Sequence, residues 1–177
     1  MITNKYNGFT FIELMIVVVL MTIMGGVAFV SLQSSKANAR LQSAQREVTA
    51  TIKQAQSYAL QGKMQGTAKV CGYGVKFTSV NEYKIFYKTP NSGMTCDDKD
   101  YAEYGVAENL QLENGVVLSS PSEYEDTEIY FAIPFGNAFD SAGTALNSDI
   151  ELFFQYPAET GETKSISINP RGSVFEN

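Results

Sequence analysis

The chain has 177 residues, with thirteen Lys and Arg, nineteen Asp and Glu, no His, no Trp and two Cys. That length allows one modest domain plus an appendage. Without His, the commonest general base, the Ser-His and Cys-His pairs and the imidazole zinc ligand are all missing, so an enzyme is not expected. Charge is unevenly spread: residues 1–32 are neutral, residues 33–64 carry five bases and one acid, and residues 65–177 carry seven bases and seventeen acids. The acidic carboxyl-terminal part is a poor partner for nucleic acid, which is bound by basic groups that displace counterions.

In chain order, residues 14–32 read LMIVVVLMTIMGGVAFVSL without a charge. At about 1.5 Å per residue this run makes a helix of roughly 28 Å, long enough to cross a bilayer. A cleavable secretory signal normally has a shorter apolar region and a small-residue cleavage site. A buried core helix would need more protein around it than a domain of this size supplies. A single membrane helix is therefore expected. Lys5 lies on one side and Lys36, Arg40 and Arg46 on the other, which by charge alone weakly places the carboxyl side in the cytoplasm. Cys71 and Cys96 argue the opposite: an even pair in an exported domain reads as a disulfide, which persists only outside the reducing cytosol. Two buried free thiols are the alternative.

Glu13 lies within the apolar run that begins at Phe9. A carboxylate costs about 2.5–3.5 kcal/mol at the centre of a membrane helix and less near the interface. No base follows until Lys36, so its partner must come from another molecule or a chain end. A cut before Phe9 would create an amine four residues from Glu13, about one helical turn.

The string Gly8-Phe9-Thr10-Phe11-Ile12-Glu13-Leu14-Met15, after a short polar leader with one Lys, resembles the type III signal of type IV pilins and pseudopilins. The resemblance implies cleavage after Gly8 by a membrane prepilin peptidase, N-methylation of Phe9, and use of Glu13 to recognise a neighbouring subunit's amine during assembly. The mature chain would be residues 9–177, or 169 residues. The resemblance also implies a cytoplasmic leader, a head outside the bacterial inner membrane, and partners in the other filament subunits, the inner-membrane assembly platform and, before assembly, membrane lipid. Many major pilins have a proline late in the apolar run, and none stands near Val30 here. Gly25-Gly26 either weakens the helix locally or allows close helix packing.

Ala37, Leu41, Ala44, Val48, Ile52, Ala55 and Ala59 recur at spacings of three and four, which predicts an amphipathic helix continuing the apolar one. Residues 9–61 would form one rod of roughly 80 Å, with Gly62 as its C-cap. The small apolar face suits packing on a sheet. The basic residues on the other face read as a solvated surface, with anionic lipid heads as the alternative.

From Lys69 the period shifts toward two. Strands are expected at KVCGYGVKFT, EYKIFYK, GVVLSS, EIYFAI, IELFFQY and SISIN, separated by Gly, Pro, Asn and Asp. Pro170 and Gly172 supply a turn before a last strand. The expected fold is α+β: leader 1–8, membrane or filament-core helix 9–32, amphipathic helix 33–62, and a β-rich extracytoplasmic head 63–177 built as an antiparallel sheet or small sandwich. AQSYALQGKMQG, the next strand with its Cys, and SISINPRGSVFE resemble the minor pseudopilins of type II secretion in the class lettered H, and the related minor pilins of type IV pili.

Asp97, Asp98, Asp100 and Glu103 are a weak calcium candidate, without EF-hand spacing, against a solvated acidic loop. Glu123, Glu125, Asp126 and Glu128 are a weaker one. No other cofactor or metal is expected. Gly72-Tyr73-Gly74 lacks the context of a dinucleotide loop and marks a bulge or close strand packing. The function expected is a structural minor pseudopilin. The alternatives are a minor pilin of a type IV or DNA-uptake pilus and, from another class, a membrane-anchored extracytoplasmic binding domain.

Overall fold

Thr10 opens the one helix among the described residues: the amides of Glu13 and Leu14 donate to its carbonyl oxygen at 3.1 and 3.2 Å, and the Glu13 amide also meets its hydroxyl at 3.3 Å. This satisfies donors that a helix start leaves unpaired. Helix α1 then runs Phe11–Leu60, 50 residues. It stops where Gly62 adopts φ 59°. There the Lys63 and Gly62 amides return to the Tyr58 and Ala59 carbonyls, a Schellman closure. The structure, a computed structural model, describes residues 8–67, 69–91, 93, 95–96, 101–112, 115–120, 127–133, 137–139, 145–157 and 162–177; for residues 27–34 and 101–104 it describes the backbone alone.

The chain divides into two compact units, Met1–Ala37 and Asn38–Asn177. In the first, the described apolar side chains of α1 stand in the open on every side of the helix, from Phe11 at 77% exposure to Met24 at 75%. The helix continues through Gly25 and Gly26, and a Cβ at either would meet nothing within 4 Å. The expected apolar span 14–32 runs into residues whose side chains lie outside the described set. Among the described residues no helix is long and apolar enough to cross a membrane.

In the second unit nine strands among the described residues form two antiparallel sheets. The first holds β1 (Gly72–Phe77), β2 (Glu82–Pro90), β3 (Tyr101–Gln111), β5 (Glu128–Ala132) and β6 (Ala138–Phe139), in the order β3-β2-β1-β5-β6. The second holds β4 (Val117–Ser120), β7 (Ile150–Gln155), β8 (Thr163–Ile168) and β9 (Val174–Glu176), in the order β4-β7-β8-β9. All the expected strands form, and β3 and β6 are additional. β3 escapes a period-two reading because its YAEYGVAENLQ carries two Glu, an Asn and a Gly. It is an edge strand, and its register against β2 shifts between Ile85 and Phe86: Glu108 faces Ile85 and Val106 faces Phe86, leaving Ala107 as the extra residue of a bulge.

All seven predicted helix positions are buried, from Ala37 to Ala59. Leu41, Ala44, Val48, Ile52, Ala55 and Ala59 join one core with Tyr73, Val75 and Phe77 of β1, Ile129 and Phe131 of β5, Leu152 and Phe154 of β7, and Ile166 and Ile168 of β8. Each large apolar side chain so buried contributes about 1.5–3 kcal/mol relative to exposure. The alanines let the helix backbone approach the sheets. Polar ties flank this core. Gln45 Nε2 donates to the carbonyls of Ser165 and Asn177 at 2.7 and 3.1 Å, and Arg40 donates to the Tyr156 hydroxyl at 2.8 Å.

A second buried layer lies on the other face of the first sheet. Phe86 and Tyr130 are stacked with ring centroids 6.3 Å apart, and Lys88 and Glu128 pair at 2.6 Å. Gly72 and Gly74 face this layer. A Cβ at Gly74 would meet the Ile129 carbonyl and Phe86 Cζ, the latter at 2.6 Å. The pairing of β1 with β2 and with β5 is unshifted, so these glycines serve close packing and not a bulge.

Candidate functional site

The chemistry that the sequence singles out is concentrated just before α1. Gly8 is exposed and non-helical, with nothing within 4 Å of where a Cβ would stand. Phe9 is 84% exposed. The Gly8-Phe9 bond is thus uncovered and outside regular secondary structure, two residues before helix α1 begins at Phe11. Glu13 lies in the first helical turn, where a carboxylate is favoured by the partial positive charge of the helix start. Among the described residues no basic side chain pairs with it. A mature amine at Phe9 would therefore find the Glu13 carboxylate uncommitted.

Thr10 is the residue of this segment that the sequence reading passes over. Its spacing to Glu13 is that of a capping box, S/T-x-x-E, which is the signal that finds it. Because the Thr10 oxygens accept the Glu13 amide, the helix start is held without enlisting the Glu13 carboxylate.

Cys71 and Cys96 form a disulfide, with their Cα atoms 5.2 Å apart. The bridge closes a loop across a sequence separation of 25 residues, worth about 3.5 kcal/mol in the chain-entropy account. Cys71 is further fixed by main-chain bonds, its amide to the Lys88 carbonyl at 2.8 Å and its carbonyl from the Ile133 amide at 2.9 Å.

Of the calcium candidates, Asp97, Asp98 and Asp100 lie outside the described residues, as do Glu123, Glu125 and Asp126. Among the described residues no group of three or more carboxylate or thiol side chains is placed to hold a metal ion. Glu128, grouped in sequence with a loop, instead begins β5 and is buried against Lys88, whose ammonium also lies 4.7 Å from the centre of the Tyr130 ring. A charged pair with side chains 5% and 1% exposed, beside an aromatic ring, is a structural arrangement.

A further polar feature joins α1 to the first sheet. The buried Tyr83 hydroxyl donates to Glu47 Oε1 at 3.0 Å. Burial raises the Tyr83 pKa far above the usual tyrosine value, and the nearby carboxylates of Glu47 and Glu108 raise it further, against a lowering hydrogen bond with Thr51. Tyr83 also lines an open cleft of about 490 Å³ with Thr78, Glu82, Asn109, Leu110 and Gln111.

Residues 3–29 match the prokaryotic N-terminal methylation motif. The match contains Gly8, Phe9 and Glu13, together with most of the apolar run. Comparison with curated proteins and with solved structures gives no match.

Proposed function

We propose that this chain is a type IV pilin-like filament subunit. It is made with a leader that a membrane prepilin peptidase removes after Gly8, it is methylated on the new amine of Phe9, and it is assembled through α1. The observation that carries this reading is the methylation motif over residues 3–29, set on an exposed Gly8-Phe9 bond directly before a Thr10-capped helix that carries an unpaired Glu13. Before assembly residues 14–32 cross the inner membrane. The open apolar side chains of α1 between Phe11 and Met24 support this, because such a surface needs lipid or other helices around it. The Cys71–Cys96 bridge supports an extracytoplasmic head. On this reading the chain is the peptidase's substrate and performs no chemistry of its own.

The narrower reading is a pseudopilin of a type II secretion system, in the class lettered H. Its support is the resemblance in AQSYALQGKMQG and SISINPRGSVFE, the first of which contains the Gly62 helix closure and the second β8 and β9. Deleting the gene separates it from a pilus role: loss of protein export with surface pili intact supports it, and loss of pili with export intact rejects it.

The decisive experiment for the broad reading is the intact mass and amino-terminal sequence of the protein from its native membrane. The expected product begins at methylated Phe9 and has 169 residues; in Gly8→Val the leader stays attached. A wild-type chain still beginning at Met1 in cells with an active peptidase would reject processing and leave a plain membrane-anchored domain.

A further inference from the structure

The two sheets differ in cover. In the first, β1 and β5 are buried on both faces. In the second, β7 alternates, with Leu152 and Phe154 in the core and Glu151, Phe153 and Gln155 on the outer face. Strand pairing extends that outer face, since Glu151 stands opposite Ser167 and Ser167 opposite Phe175. The Ser167 hydroxyl donates to Asp149 Oδ2 at 3.4 Å, which places Asp149 on the same face. Asp149 and Glu151 are exposed, and Phe175 is 51% exposed. No base pairs with either carboxylate among the described residues, and Arg171, in the turn between β8 and β9, has no ion pair there either. Two carboxylates beside an open aromatic ring suit an ammonium or guanidinium laid against them.

The complementary charge is on the helix. From residue 38 to its end, α1 carries Arg40, Arg46 and Lys53 against Glu47, whereas residues 65–177 hold seven bases and seventeen acids. Arg40 is engaged by Tyr156 through a hydrogen bond and a ring contact. Arg46 and Lys53 are exposed and have no ion pair or hydrogen-bond partner among the described residues. Seven residues apart, they lie on one side of the helix, about 10 Å from each other along its axis. Asp149 and Glu151, two residues apart in an extended run, stand about 7 Å from each other, within reach of two long basic side chains. Exposed Ala50 stands between the two bases, so this side of α1 is low enough to lie flat on an open sheet face, the usual contact of a helix with a sheet.

We propose that the outer face of the second sheet in one copy seats α1 of a second copy, with Arg46 and Lys53 against Asp149 and Glu151 and with Ala50 over the Phe175 ring. The proposal rests on the filament reading and deepens it by naming the contact. The helix strip and the sheet face are different patches of one chain, so the contact is heterologous: it is not satisfied by a two-fold dimer and repeats from copy to copy. Exposed ion pairs add little strength individually. Their part here is to select the neighbour's orientation and register while the apolar helices supply the association.

The test uses the processed full-length chain in its native membrane. Arg46→Glu with Lys53→Glu, and separately Asp149→Lys with Glu151→Lys, each lower incorporation into filaments by about tenfold or more. The chain carrying all four changes recovers to within about threefold of wild type, because complementarity is restored with its sign inverted. Disulfide formation and thermal unfolding confirm that each variant is folded. In a second measurement, Ala50→Cys and Ser173→Cys, both at exposed positions, are placed in one chain and joined by a short thiol cross-linker; the native cysteines are already bridged, so the new thiols alone react. Ladders of this chain with itself are expected. Reversals without effect in folded protein, a four-fold variant that does not recover, or cross-links solely to a different subunit each overturn the proposal. A wild-type chain that is processed but never found in filaments overturns the filament reading beneath it, and is recognised by its failure before any variant is compared.

Discussion

Lys88 on β2 and Glu128 at the start of β5 meet at 2.6 Å with side chains only 5% and 1% exposed, on the face of the sheet turned away from α1. Burying both ions is costly, and the pair repays that only while both members are present. Glu128→Ala is therefore expected to destabilise the protein by about 3–5 kcal/mol, read by denaturant unfolding. Lys88→Met with Glu128→Leu recovers most of that loss, since an apolar pair leaves no charge behind. A double variant no more stable than Glu128→Ala would show that the pair does more than offset its own burial.

Tyr83 gives the fold an alkaline limit. Its pKa is raised in the native state, by burial first and by Glu47 and Glu108 next, so the unfolded chain loses that proton at lower pH than the folded one. Its contribution is complete below the ordinary tyrosine value near pH 10 and falls as pH rises above it. Tyr73, also raised by burial, acts in the same direction. Tyr83→Phe removes one such proton and makes the alkaline loss of stability shallower. At neutral pH it costs about 0.5–1.5 kcal/mol for the hydrogen bond to Glu47. Unfolding curves between pH 7 and pH 11 measure both effects; parallel profiles for the two proteins would count against the assignment.

Two glycines separate packing from propensity. Gly74→Ala drives a methyl against the Ile129 carbonyl and the Phe86 ring, and an overpacked core position of this kind costs about 1–3 kcal/mol. Gly25→Ala meets nothing in the helix and raises helix propensity by about 1 kcal/mol. The first is expected to lower the melting temperature of the head. The second leaves that temperature unchanged, because it acts in the other unit, and increases the helical signal in detergent. A fall in head stability from Gly25→Ala would contradict this separation.

The helix was legible because its seven apolar positions from Ala37 to Ala59 follow one period, and six of them, Leu41 to Ala59, face one core. Strand β7 was legible for the same reason, its alternation being enforced by burial on one face, whereas β1 and β5, buried on both faces, were legible from their Val, Ile, Phe and Tyr content. β3 was not: as an edge strand that is largely exposed from Val106 to Asn109, it has no alternation to display. The Lys88–Glu128 pair was hidden because its members lie forty residues apart and occupy positions that, in a sheet covered on one face, would point to water. At the amino terminus, Gly8, Phe9 and Glu13 stand in a linear motif, the stretch 3–29 that matches the prokaryotic N-terminal methylation motif, and a linear motif is readable without the fold. Thr10 needed the structure to show which of its oxygens the helix uses.

The bulge at Ala107 has a consequence for how copies of the chain meet one another. A straight eleven-residue edge would offer a row of free main-chain groups on which other sheets could grow, and copies of the chain at high concentration would be prone to fuse through it. The register shift breaks that row partway along, and the exposed Glu108 beside it sets like charges against each other when two such edges approach. Strand-to-strand adhesion between copies of the chain is thereby suppressed.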